Sequence, residues 1–223
     1  MKRFTDLAAL ILGWTLVVAA LFLLLRPEGL LRSEIESVLA DRRQARIVAE
    51  SWPQLAGDAP VVGSGSASPF AIEFIDYQCS YCRHFHRTLD SLVSASALDV
   101  RLAIRHNPNP GNPASRQAAL ASICAHLQGE FESIHNYLMT SDDWYDLPDW
   151  HDVSTSVGVP EPDSLVRCLA SERADSVLSI DSAIAATLGL RATPAFAIQG
   201  EGLVIGALSP DDVERLVTNQ TRQ

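Results

Sequence analysis

Cys79-Ser80-Tyr81-Cys82 stands at the end of an apolar run, Phe70 to Ile75, and this junction constrains the chain more than any other stretch. The run is short enough for one buried strand. The residues after Cys82 mix polar and aromatic side chains in a pattern that continues as a helix over residues 83–93. Strand, tight turn, two cysteines and helix put a thiol at a helix N-terminus. There the backbone dipole and free N–H groups favour thiolate over thiol. In that arrangement Cys79 is the exposed attacker. Cys82, one turn in, is the resolving thiol, near enough to close a disulfide with it. Such a dithiol is suited to exchanging electrons with the disulfides of other proteins.

Far downstream, Leu188-Gly-Leu-Arg-Ala-Thr193-Pro194-Ala-Phe196 brings a Thr-Pro pair directly before a second apolar strand. Between the two lies a long helical block. Ala119, Ile123, Leu127, Phe131 and Ile134 recur at helical spacing, with Gly129 as a divider, and Pro162 to Leu188 reads as one or two further helices. Leu98 to Arg105 alternates apolar and polar residues, the period of a half-buried strand.

With these residues in view, the chain resembles the DsbA-like branch of the thioredoxin-fold thiol–disulfide oxidoreductases, over roughly residues 59–217. Phe74-Ile-Asp-Tyr-Gln-Cys79-Ser-Tyr-Cys82 is similar to that branch's active-site motif, and the Thr193-Pro194 segment to its cis-proline loop. The resemblance implies an α/β thioredoxin fold with an inserted helical subdomain, about residues 114–188, inside a domain covering 58–223. It implies that Pro194 packs against the two cysteines and that Thr193 influences the thiolate and substrate release. It also implies protein substrates with thiols or disulfides, no metal or organic cofactor, and re-oxidation by a membrane partner of the DsbB or vitamin K epoxide reductase type. One difference stands out. Many oxidising members carry Pro-His between the cysteines, where this chain has Ser80-Tyr81. That dipeptide tunes the thiolate, so the direction of exchange does not carry over. Disulfide formation, reduction and isomerisation share the same residues, and a chaperone-like binding module would share the fold.

Glu73 interrupts the apolar strand six residues before Cys79, where the resembling branch keeps a buried acid. Held near neutral by desolvation, it would shuttle the proton of Cys82. The competing reading is a strand residue on a partly exposed face. Arg83, His84 and His86 follow Cys82, and a positive group beside a thiolate lowers its pKa. His84 is the candidate for that tuning, with both histidines read as surface residues. The same side chains with Cys79 and Cys82 superficially suggest zinc, but the histidines fall within a turn of Cys82 instead of a dozen or more residues away.

Cys124 and Cys168 fall within the helical block. They are read as separate buried thiols, as a structural disulfide, or as a second redox pair. Some members of the resembling branch carry a cysteine pair at such places, which favours the bridge. It would close a loop worth roughly 3–4 kcal/mol in the chain-entropy model.

Residues 7–25 contain no charge and are preceded by Lys2 and Arg3. The run is close to the roughly 20 residues that span a bilayer as a helix. It reads as a transmembrane signal anchor following a cytoplasmic N-terminus of residues 1–6. A cleaved signal competes, but Leu23 to Pro27 offers no small-residue cleavage site. Disulfide chemistry places the domain outside the cytoplasm, as in a periplasm. Residues 26–57 read as a solvated helical spacer, with Leu31, Ile35, Val38 and Leu39 on one face. The net charge of −10 over 223 residues and the lack of a basic stripe argue against nucleic acid.

Overall fold

The computed structural model describes residues 13–23, 30–63, 68–95 and 100–220. Its sheet has five strands, β1 (Val61–Gly63), β2 (Ala71–Ile75), β3 (Arg101–His106), β4 (Ala195–Ile198) and β5 (Gly202–Ile205), in the order β1-β3-β2-β4-β5. The central pair β2 and β3 is parallel, and the other three pairings are antiparallel. Residues 13–23 are helical (α1). The remaining helices are α2 (Leu30–Ala56), α3 (Ser80–Ala95), α4 (Pro113–His126), α5 (Phe131–Thr140), α6 (Trp150–Ser156), α7 (Pro162–Leu169), α8 (Glu172–Thr187) and α9 (Pro210–Gln220).

The apolar run that opened the chain's logic becomes β2, buried along its whole length because helices cover both faces of the sheet. Side chains of a strand alternate between faces. Phe196 and Ile198 on β4 and Leu102 and Ile104 on β3 join one core with Phe85 and Cys82 of α3. Ile72, Phe74, Ala103, Ala195 and Ala197 join a second core on the opposite face. By the same alternation Glu73 shares a face with Ala71 and Ile75, the α3 face. Register places it beside Ile104 on one side and Phe196 on the other.

The coverage of both faces corrects the reading of β3 as half-buried. Leu102 through His106 are all buried, the polar Arg105 and His106 included. Residues 98 and 99 of that predicted strand lie outside the described residues.

A second correction concerns α2. Its last turns are not a solvated spacer: Val48 and Leu55 are buried in the second core. Close approach is possible because Gly202, at φ +100°, lies against the backbone of Ala45, where a Cβ would come within 3.1 Å of the Ala45 nitrogen. The face read from Ile35, Val38 and Leu39 is exposed. Of the predicted span 7–25, the structure describes 13–23, whose large apolar side chains are exposed. Residues 1–12 and 24–29 lie outside the described residues. Among those described, no helix is long and apolar enough to cross a membrane.

The helical block divides as the pattern indicates. Gly129 separates α4 from α5. The start of α4 is fixed by Asn112, whose side chain accepts from the backbone N–H of Ala114 and Ser115, with Pro113 at the first helical position. Cys124 of α4 and Cys168 of α7 are joined as a disulfide, with Cα atoms 5.8 Å apart.

Candidate active site

Cys79 is the residue immediately before α3, and its carbonyl accepts the N–H of Arg83, the first bond of the helix. Its own N–H donates to the Asp76 carbonyl at 2.9 Å, closing the turn between β2 and α3. Cys79 is therefore an N-cap, the position whose side chain receives helix N–H groups. Its sulfur is half-buried, while Cys82 is wholly buried. Both are free thiols. Ser80 and Tyr81 between them are exposed, Tyr81 at 67%.

The two thiols differ sharply in acidity. A hydrogen bond from Cys82 brings the Cys79 thiol down to about 5. Burial opposes this, and further hydrogen bonds from the Thr193 side chain and the Cys82 and Tyr81 backbones support it. Burial pushes the Cys82 thiol strongly up, and the charge of Glu73 adds to this. One sulfur is thus a thiolate at neutral pH and the other holds its proton.

The Thr193–Pro194 peptide is cis. Pro194 is buried, and its carbonyl accepts the Gly206 N–H at 2.9 Å, which fixes the loop to the start of the turn after β5. As a thiol, Cys79 donates to the Thr193 carbonyl at 3.2 Å. Cys79, Cys82, Thr193 and Pro194 are therefore brought together. Beside Thr193 an open groove of about 560 Å³ runs past Asp76, Asn109 and Arg191.

Glu73 is fully buried on the α3 face, so the partly exposed alternative does not hold. Burial raises its pKa. His86 pulls it back, and the Cys79 charge adds to the rise. Its Oε2 lies 2.9 Å from His86 Nε2, and its Oε1 has no hydrogen-bond partner among the described residues.

The three basic residues after Cys82 part company. His84 is exposed. Arg83 is buried and turns away from the sulfurs. It donates to the carbonyls of Leu138 and Ser141 and pairs with Asp142 at 2.7 Å. His86 is buried, not at the surface, and is bound to Glu73. Among the described residues no group of three or more His, Cys, Asp or Glu side chains is arranged to hold a metal ion.

Sequence reasoning missed Asp76, Tyr77 and His135. Asp76 accepts from the Gln78 N–H, the Ser115 hydroxyl and the Asn109 N–H, tying the cysteine turn to the loop before α4. Tyr77 and His135 lie behind Glu73 and His86, and His135 Nε2 is 3.2 Å from His86 Nδ1. The signal for His86 was present: Cys82, Phe85, His86 and Leu89 share one helical face, and that face is buried.

The family profile described as thioredoxin matches residues 56–219. The chain belongs to the thioredoxin family. A thioredoxin-like oxidoreductase from Silicibacter pomeroyi DSS-3 superposes with a TM-score of 0.63 at 27% identity, over 77% of this chain and 98% of that one. A linker-deletion mutant of Proteus mirabilis ScsC superposes with a TM-score of 0.70 at 22% identity, over 94% of each chain. The thiol-disulfide exchange protein alpha-DsbA2 of Wolbachia pipientis does so at 0.66 and 20% identity, over 81% and 97%. The family match and the Silicibacter pomeroyi structure are those of a thioredoxin-like oxidoreductase, and the other two structures share its fold. Among curated proteins, the chain is 25% identical over 188 residues to a Na(+)/H(+) antiporter NhaA from Herminiimonas arsenicoxydans. It covers 78% of this chain but only 30% of that protein.

Proposed function

We propose that this protein exchanges disulfides with extracytoplasmic protein substrates through Cys79 and Cys82, in the direction of disulfide formation. The observation that carries this reading is the placement of a half-buried Cys79 at the start of α3 against Thr193, with Cys82 buried behind it, which brings the Cys79 pKa down to about 5 and pushes that of Cys82 up. A stabilised Cys79 thiolate stabilises the reduced form, and that makes the disulfide a stronger oxidant.

In the oxidised protein a substrate thiolate attacks Cys79 Sγ. The Cys79–Cys82 bond breaks, and Cys82 Sγ leaves with the bonding electron pair. Glu73, whose pKa burial raises, protonates it. A second substrate thiolate then attacks the substrate sulfur of the mixed disulfide, and Cys79 leaves as a stable thiolate. The groove beside Thr193 is the place for an extended substrate segment. Cys124–Cys168 supports an oxidising compartment, where structural disulfides persist.

An anchor over residues 7–25 and re-oxidation by a membrane partner of the DsbB or vitamin K epoxide reductase type belong to the same proposal. They rest on the uncharged N-terminal run and on the need to discard electrons outside the cytoplasm. The alternative is reductase or isomerase work with the same thiols.

The deciding experiment is the reduction potential, by equilibration with glutathione and thiol trapping. A value near about −120 mV fits an oxidant, and one near about −270 mV overturns that direction and assigns a reductase. A chaperone-like module would keep its activity in Cys79→Ser, which an oxidoreductase would not.

A further inference from the structure

Behind the dithiol runs an unbroken line of buried hydrogen bonds that crosses the domain. Glu73 Oε2 lies 2.9 Å from His86 Nε2, and His86 Nδ1 lies 3.2 Å from His135 Nε2. His135 Nδ1 lies 3.0 Å from Tyr77 Oη, which is 2.8 Å from Ser122 Oγ. Ser122 Oγ lies 2.9 Å from His106 Nε2, and His106 Nδ1 lies 2.9 Å from Asp181 Oδ2. Every member is at most 5% exposed.

The far end is a charged anchor. Asp181 accepts from Arg105 Nη1 at 2.8 Å and from the His106 N–H at 2.9 Å. Burial alone would raise its pKa. The hydrogen bond and charge of His106, with Arg105, outweigh burial and hold it low, so Asp181 is a carboxylate. His106 Nδ1 must therefore carry a hydrogen and donate.

From that end the order of donors follows by elimination, since a ring nitrogen either donates or accepts and a hydroxyl has a single hydrogen to donate. In one arrangement His106 carries a hydrogen on Nδ1 alone: its Nε2 accepts from Ser122, Ser122 accepts from Tyr77, and Tyr77 accepts from His135 Nδ1–H. His135 is neutral, because burial pushes its pKa well down. Its Nε2 accepts from His86 Nδ1–H. That leaves His86 Nε2 and Glu73 Oε2 with one proton between them. A second arrangement has the same number of protons. Glu73 passes its proton to His86, each link shifts its hydrogen by one hop, and the charge comes to rest as an imidazolium at His106 against Asp181. Every hydrogen bond is kept in both arrangements.

We propose that this line is a proton conduit for the Cys79–Cys82 pair, in which His86 and His135 are positioning residues and His106 beside Asp181 is the second seat of the Glu73 proton. The inference rests on the dithiol chemistry proposed above. With the proton on Glu73, the acid protonates Cys82 Sγ as it leaves the disulfide with the bonding electron pair. With the proton at His106, Glu73 is a carboxylate. It then takes the proton of Cys82 as that thiol attacks Cys79 Sγ of the mixed disulfide and the substrate sulfur leaves with its electron pair. The line thus lets one buried acid work in both senses. The groups that face it are Cys79 and Cys82 at the near end, and Arg105 and Asp181 at the far end, with Asp58 3.6 Å beyond Arg105.

The test is the imidazole nitrogen spectrum of the full chain, labelled at histidine, in the oxidised and reduced forms. His86, His135 and His106 are expected to change together on reduction, with exposed His151 unchanged as the internal reference. Tyr77→Phe cuts the line, and Ser122→Ala cuts it at the next link. In either variant the His86 response is expected to remain and the His106 response to be lost. Identical His106 signals in the two redox forms of the wild type would overturn the proposal without any variant. So would a His106 response that survives both cuts. Thiol trapping of the same samples separates the two levels. A protein that does not cycle with glutathione removes the dithiol reading, and the conduit with it. One that cycles with a silent His106 removes the conduit alone.

Discussion

Cys79 Sγ lies 3.2 Å from the Thr193 carbonyl oxygen across a sequence separation of 114 residues. The contact joins the N-terminus of α3 to the cis-proline loop, so the proposed nucleophile and the groove that would receive a substrate chain are set by two distant parts of the sequence. The helix end supplies N–H groups to the sulfur and the loop supplies Thr193. Together with Cys82 they overcome burial and bring the Cys79 thiol to about 5.

That value makes a prediction about reactivity. Alkylation of Cys79 in the reduced protein should be half-maximal near pH 5 and flat at neutral pH. A free cysteine would still be gaining rate at neutral pH. Stability should follow the same group. Its folded pKa lies below the ordinary value of 9.0, so the thiolate's contribution to the reduced form is full above about pH 9. It shrinks as pH falls and is gone below about pH 5. The disulfide form has no such term. The melting temperature of the reduced protein minus that of the oxidised protein should therefore fall as pH is lowered from about 9 to about 5. A constant difference would remove the thiolate from the account.

Glu73→Gln should slow exchange by on the order of 100-fold, the usual weight of a positioned acid–base group. The loss should fall on the step that protonates or deprotonates Cys82, leaving alkylation of Cys79 little changed. Stopped-flow measurement of exchange with a model dithiol, beside the alkylation rate, distinguishes the two. Equal loss in both would mean that the substitution disturbs the whole turn.

How much of this was written plainly in the sequence depends on whether a signal is local. The apolar run before Cys79, the Gly129 break between α4 and α5, and the Thr193-Pro194 pair before β4 are local, and the structure puts elements there. The packing of α2 was hidden because its visible periodicity, at Ile35, Val38 and Leu39, belongs to the half that stays exposed. The buried half carries its contacts at Val48 and Leu55, against Gly202 and the second core. Arg105 looked like an outward position of a half-buried strand, with His106 beyond its end. Only their partner on α8, Asp181, makes burial tolerable, and no spacing announces a partner 75 residues away. His86 was misplaced for the same reason, since its partner Glu73 lies on another element.

The Cys124–Cys168 bridge should matter for stability and not for exchange. It closes a sequence separation of 44 between α4 and α7. Chain entropy assigns such a loop about 4 kcal/mol. Cys124→Ala with Cys168→Ala should lower the melting temperature by roughly 8–16 °C while leaving exchange at low temperature intact. Calorimetry and an exchange assay on the double variant read both quantities. A loss of exchange with an unchanged melting temperature would instead assign the pair a redox role.

Asp181 should be among the costliest single polar positions in the domain. It is 2% exposed and is held by Arg105 and by both the backbone and the ring of His106. Arg105 in turn donates to the carbonyls of Leu55 and Ala56, so the carboxylate secures the end of α2 to β3 through one guanidinium. Asp181→Asn keeps the shape but removes the charge opposite a buried cation. Breaking one side of a buried pair costs about 3–5 kcal/mol, because the remaining charge is left uncompensated. Exposed Asp58, 3.6 Å from Arg105, offers only a weak substitute. Urea unfolding should therefore show a loss of about 3 kcal/mol at neutral pH. The sign of its pH dependence is fixed by the direction of the shift. The folded pKa of Asp181 lies below 3.8, so the wild type's advantage is full above that value and fades as pH drops through the folded pKa. The two stability curves should converge in acid. If they stay parallel down to the acid unfolding transition, the cost lies in packing and not in the lost charge.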